Sequence, residues 1–294
     1  MSMPNPLAES PPGDPEDRAL VLRARSGDRD ALDELVRRHQ AWIYNIAVRM
    51  LYHPQDAEDA TQEILVKALT ALSSFEGRSS FRTWLYRIVV NHLLNAKRGR
   101  LEPTLSFSCY AHGLDGTPDL DLPDRSSVPV DVRLLVEEAR LTCTAGMLLC
   151  LDREQRLTYI LGEIFQVPDT VAAEVLEISR ENFRQRLARA RRDLHNFMNE
   201  KCGLVNPANP CRCAKKTRGF IRAGYVDPKN LLFARDRVRQ VRDVAWTRAE
   251  ALATLDDGYA QVFREHPFHE PRDLVPALRQ LLASPQVKEV TDFP

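Results

Sequence analysis

The chain has 294 residues, 41 Lys+Arg against 41 Asp+Glu, and 44% hydrophobic residues. That apolar content supports a packed core and excludes a globally disordered chain. No apolar run approaches the roughly 18 residues of a membrane span, so no membrane partner is expected. A net charge of zero would argue against nucleic-acid binding if the charge were evenly spread, but it is segregated. Residues 77–101 hold six basic side chains and no acid, 102–154 hold ten acids against four Arg, and 180–192 hold six Arg and one acid. Two basic blocks separated by an acidic one read as two electrostatic footprints and a linker.

The opening MSMPNPLAESPPGDPED has five prolines and no apolar stretch. Residues 1–17 are expected to be a disordered arm, neither signal peptide nor anchor, on a cytoplasmic protein. Helical periodicity dominates the rest, and no sustained strand alternation appears. The expected fold class is all-α: two small helical domains joined by a flexible linker, plus a helical C-terminal extension.

A first helix is expected over about 30–51, where Leu32, Leu35, Val36, Ile43, Ile46 and Met50 recur at helical spacing. A second opens after Pro54, with Ala57, Ala60, Ile64, Ala68 and Leu72 as its inner stripe. Asp56, Glu58 and Asp59 crowd its first turn, where the helix dipole favours anions. FEGRSS, residues 75–80, breaks the pattern. Phe75 is expected in the core. A third helix follows to about Lys97, with Arg87, Asn91, Asn95 and Arg98 on one face. Residues 101–131 are rich in Pro, Asp and Ser and read as a linker.

Helical pattern resumes near Val132. In DTVAAEVLEISRENFRQRLARARRDL, a short helix, a break at Glu177-Ile178-Ser179 and a long helix follow one another. Ser179 is a suitable N-cap. Phe183, Leu187, Ala190 and Leu194 form one buried stripe, leaving Arg180, Arg184, Gln185, Ala188 and Arg191 outward. Such a face suits the DNA major groove; a solvated Arg face on a helical hairpin is the plainer alternative.

SRENFRQRLARARRDL resembles the upstream-element recognition helix of bacterial RNA polymerase sigma factors of the extracytoplasmic-function (ECF) type. DAEDATQEILVKAL and FRTWLYRIVVNHLLNAKRGR resemble that family's core-binding and promoter-melting helices, in the same order. Together the resemblances cover about residues 18–200. They imply a core-binding and −10 domain over 18–100 and a helix-turn-helix −35 domain over 132–201. They also imply a transcription initiation factor with no catalysis of its own, its partners being core RNA polymerase and promoter DNA; whether an anti-sigma factor also binds is left open, since an extension acting in cis could replace one. The polymerase-facing residues would be Asp56, Glu58, Asp59, Gln62, Glu63 and Lys67. The −10 set would be Arg78, Ser79, Ser80, Arg87, Asn91, Asn95, Lys97, Arg98 and Arg100. The −35 set would be Arg180, Asn182, Arg184, Gln185, Ala188 and Arg191. Glu177 stands where the family often has Gly, a departure that costs about 1 kcal/mol if the position needs positive φ. The alternative function is an autonomous helix-turn-helix regulator, which leaves the first domain unexplained.

Residues 202–294 carry 15 Arg/Lys against 11 Asp/Glu and enough apolar helical pattern to fold back on a sigma domain and control it. A long helix is expected from Lys229 to about 255 and a short one near 271–283, with Pro276 as a kink or late start. CGLVNPANPCRC places Cys202, Cys211 and Cys213 together. In a reducing compartment a structural disulfide is not expected. A structural zinc, a redox switch and plain packing stay open; zinc would take a fourth ligand from His195, Cys150, His266 or His269. No other cofactor is required. Cys109, Cys143 and Cys150 read as ordinary packing or linker cysteines.

Overall fold

The computed structural model describes residues 15–96, 102, 105–123, 128, 130–234, 257–264 and 266–282, and among them the only regular structure is helical. The helices are α1 (Pro15–Arg25), α2 (Arg29–Leu51), α3 (Pro54–Thr70), α4 (Phe81–Asn95), α5 (Phe107–Gly116), α6 (Val132–Leu149), α7 (Arg153–Tyr159), α8 (Asp169–Val175), α9 (Arg180–Lys201), α10 (Cys213–Arg222), α11 (Asp257–Arg264) and α12 (Val275–Leu282). Tertiary contacts group them into two units. One lies within 98–164 and 185–267, the other within 3–97, 165–184 and 268–294.

In the second of these units the expected stripes are buried. Trp42, Ile43, Ile46 and Met50 of α2 have no exposed surface, nor do Ala57 and Ile64 of α3. Asp28 caps α2 by accepting from the Asp30 and Ala31 amides, which satisfies N–H groups that have no partner within the helix. Pro54 stands at the first turn of α3, where its missing N–H costs nothing. Ser80 accepts from the Thr83 amide at 3.0 Å and starts α4. Phe75 is buried against Phe81 and Trp84, as expected.

The amino terminus departs from expectation. Pro15, Glu16 and Asp17 belong to α1, and Asp17 is buried. Trp42 Nε1 donates to His39 Nδ1 at 3.0 Å, so His39 Nε2 carries the ring proton and faces Asp17 Oδ1 at 3.3 Å. A partnered carboxylate holds α1 on α2, so an unstructured arm does not extend through residue 17.

The other unit is built around α6. Leu135 and Leu141 are fully buried, and α10 packs along α6. Arg156 is 1% exposed and donates to the carbonyls of Leu148, Leu149 and Leu151 and to Glu102. It thereby ties together the carbonyls at the end of α6 and in the turn after it. The expected linker contains a helix: α5 is capped by Ser106, packs Phe107 against Phe197 and donates from Tyr110 Oη to the Cys143 carbonyl. A Cβ on Gly146 would meet that Tyr110 oxygen at 2.7 Å, so glycine is what admits α5. Of the long helix expected from Lys229, residues 229–234 are not helical and the remainder lies outside the described residues. Leu232, Phe233 and Ala234 instead donate their amides to the buried Glu138 carboxylate. Pro276 lies in the first turn of α12, the late start expected.

Candidate polymerase and promoter interfaces

The outward face of α3 carries the six expected residues. Asp56, Asp59, Glu63 and Lys67 are exposed; Glu58 and Gln62 are partly covered. Lys67 Nζ lies 2.8 Å from His92 Nδ1, and Glu63 lies 3.7 Å from His92 Nε2. Burial first, then the Lys67 charge, lowers the His92 pKa, which favours the neutral ring and lets Nδ1 accept from the lysine. Glu58 has a partner that the sequence did not suggest. Arg272, from the extension, approaches it at 3.6 Å.

The chain around Arg272 is tied to α2. Asn45 donates to the His269 carbonyl at 2.7 Å and accepts from the His269 amide at 2.9 Å. Gln40 accepts from the Leu274 amide, and Arg279 ion-pairs with Asp33. Arg49, fully buried, lies under the rings of Phe165 and Phe268. Desolvation brings its pKa down to about 9.

In the loop before α4, Arg78 is exposed and pairs with Glu76; Ser79 and Ser80 are half-buried. The Ser80 hydroxyl is already engaged as the α4 cap, so its first task is structural. On α4, Asn91 and Asn95 are exposed. Arg87, one turn before Asn91, donates to Glu174 of α8 at 2.8 Å. Lys97, Arg98 and Arg100 lie outside the described residues.

The helix-turn-helix forms as expected. Ser179 accepts from the Asn182 amide at 3.1 Å, and Phe183, Leu187, Ala190 and Leu194 are buried. Glu177 holds φ 53°; the turn does need the left-handed region. Arg180, Asn182, Arg184, Gln185, Ala188 and Arg191 are all exposed. Asp169 holds Arg180 and Arg184 at 3.0 and 2.5 Å, while Arg191 pairs with Glu163. Glu163 sits on the single π-helical turn 160–164, and Arg264 of α11 donates to its carbonyl at 2.6 Å.

Cys202 directly follows α9, Cys213 opens α10, and Cys211 lies in the loop between them. The fourth cysteine at this place is Cys143 of α6, which lines the same cavity. None of the four expected fourth ligands lines it. Cys150 donates to the Gly146 carbonyl, His195 stacks on Tyr259, His266 bonds to Thr144, and His269 binds Asn45 through its backbone. Nothing in the sequence marks Cys143, because helix packing alone brings it there.

Residues 35–101 match the family model Sigma-70 region 2. The RNA polymerase sigma-H factor of Pseudomonas aeruginosa is 35% identical over 129 residues, covering 42% of this chain and 67% of that protein. The ECF RNA polymerase sigma-E factor of Haemophilus influenzae is 30% identical over 186 residues, covering 61% of this chain and 94% of that protein. A solved structure of CnrH in complex with the cytosolic domain of CnrY is 26% identical with a TM-score of 0.44, over 63% of this chain and 97% of that one. The chain belongs to the RNA polymerase sigma factors, proteins that bind the polymerase core and direct transcription initiation. Within that class it is of the ECF type. Among the described residues no helix is long and apolar enough to cross a membrane.

Proposed function

We propose that the α3 face (Asp56, Glu58, Asp59, Gln62, Glu63 and Lys67) docks on the polymerase core. The 78–80 loop and the Arg87–Asn91–Asn95 face, continued by Lys97, Arg98 and Arg100, engage the −10 element. The exposed face of α9 reads the −35 element. Residues 203–294 restrain these surfaces in the free protein. The chain makes and breaks no bonds in this scheme, and its work is done in the cytoplasm, on the polymerase. An anti-sigma partner would have to compete with the extension for the same α3 face.

One observation carries the restraining role: an extension anchored on α2 by Asn45, Gln40 and Asp33 sets Arg272 against Glu58. Reconstituted transcription with limiting core polymerase tests it. Arg272→Ala with Arg279→Ala should raise open-complex yield several-fold, and unchanged yield would remove the restraint. In that double variant, adding Arg87→Ala and Asn91→Ala should abolish open complexes while polymerase binding persists. Normal initiation from that protein would sink the −10 assignment.

A further inference from the structure

We propose that Cys143, Cys202, Cys211 and Cys213 are the four ligands of one zinc ion, which clips α10 to α6 and to the end of α9. The inference stands apart from the restraining role above; either can fail alone.

The four thiols come from α6, the residue after α9, the following loop and the start of α10, and line one small cavity, which Arg140 and Lys201 also border. The loop between Cys202 and Cys213 is built to bring its ends together. Asn206 and Asn209 both donate to the Asn199 carbonyl, at 3.0 and 2.9 Å, and Asn209 also reaches the Cys202 carbonyl. Arg212 donates to the carbonyls of Pro207 and Cys211. A Cβ on Gly203 would fall 2.1 Å from the Cys211 carbonyl oxygen. Only glycine lets Cys211 return onto Cys202 so closely.

The donor set selects the ion. No histidine or carboxylate lines the cavity, and an all-thiolate set of four suits tetrahedral zinc, with Zn–S near 2.3 Å. A divalent cation favours the thiolates over the thiols. One Zn²⁺ and four thiols give a tetrathiolate complex of charge −2 and release four protons; Arg140 and Lys201 at the rim are paired with Glu137 and Asp115. Among the described residues no three side chains already stand as a metal-ligand set. Each sulfur turns on a single χ1 bond, and the ion draws the four to a common centre.

Cobalt titration of the reduced full-length chain tests the site. The expected result is one Co²⁺ per chain, with a thiolate charge-transfer band and tetrahedral d–d bands that zinc abolishes. Cys143→Ser should shift the d–d bands and weaken zinc binding at least tenfold. Cys109→Ser, at an exposed thiol, should change neither. Absence of the charge-transfer band in the unaltered chain, or Cys143→Ser behaving like it, overturns the proposal. Thiol counting on the unaltered chain decides the matter if Cys143→Ser does not fold. Zinc should protect four of the six cysteines from an aromatic disulfide reagent; protection of three or fewer overturns it.

Discussion

Glu177 is the residue at which local conformation and side chain disagree. An L-residue at φ 53° pays roughly 1 kcal/mol that glycine does not. Glu177→Gly should therefore stabilise the protein by about 1 kcal/mol, read as a rise in thermal midpoint. A fall in that midpoint would mean that the Glu177 side chain does something the backbone angle hides. The need for this angle was legible from the turn's place in the family pattern, as was the cap at Ser179; the cap at Ser80 was not read from the sequence. Glu102 was not legible, because its partners Arg153 and Arg156 lie 51 and 54 positions away. Burial raises its carboxyl, but the two guanidinium groups more than reverse this, and its pKa lies below the ordinary glutamate value of 4.5. With the folded pKa depressed, its contribution is complete above about pH 4.5 and is lost as pH falls through the folded value. Glu102→Gln should cost about 2 kcal/mol at neutral pH and flatten the acid limb of stability against pH. Urea unfolding at pH 7 and below pH 4.5 measures both.

At the scale of elements, helices with a clean apolar stripe could be read directly, and α2, α3, α4 and α9 fall within a residue or two of expectation. Helix α5 could not, because Gly113, Gly116 and the surrounding Pro and Ser residues hide it. Its stability comes from Phe197, Cys143 and Gly146, which are remote in sequence. The segment 230–234 shows the reverse failure. Its apolar pattern suggested helix, but its amides are spent on Glu138. That carboxylate accepts four hydrogen bonds from three successive residues, an arrangement no periodicity announces. Glu138→Gln puts an amide N–H₂ against backbone N–H groups and should cost about 1–3 kcal/mol. Protease cleavage should then begin near residue 232. Unchanged proteolysis would show that Leu231 and Phe233, both buried, suffice to hold the segment. The docking of α12 is a similar case. The sequence offered its helix but not its partners on α2, because paired amides such as Asn45 and His269 carry no sequence signature.

For the whole molecule, each contact unit draws on distant parts of the chain, and residues beyond 202 supply buried surface to both. The extension is therefore a structural component of both units. Ending the chain at residue 202 would bare Glu138 and the cysteine cavity in one unit and Asn45 in the other. A chain cut there should lose several kcal/mol and melt at least several degrees lower. Differential scanning calorimetry of the two lengths checks this. An unchanged midpoint would show that the sigma portion does not lean on its extension. The sequence already indicated that the extension would fold back, through its apolar content. Which groups receive it was settled by packing.

Helix α9 runs unbroken for 22 residues, about 33 Å, from its outward arginines to the residue before the Cys202 thiol. Its rotational phase is consequently a shared property of both ends. Inserting one residue between Arg191 and Cys202 would turn the thiol by about 100° relative to the arginines, and inserting seven would nearly restore the phase while lengthening the rod by about 10 Å. The number of residues in this one helix thus sets the angle between the side chains at its two ends, much as the cut of a key fixes the bit relative to the bow.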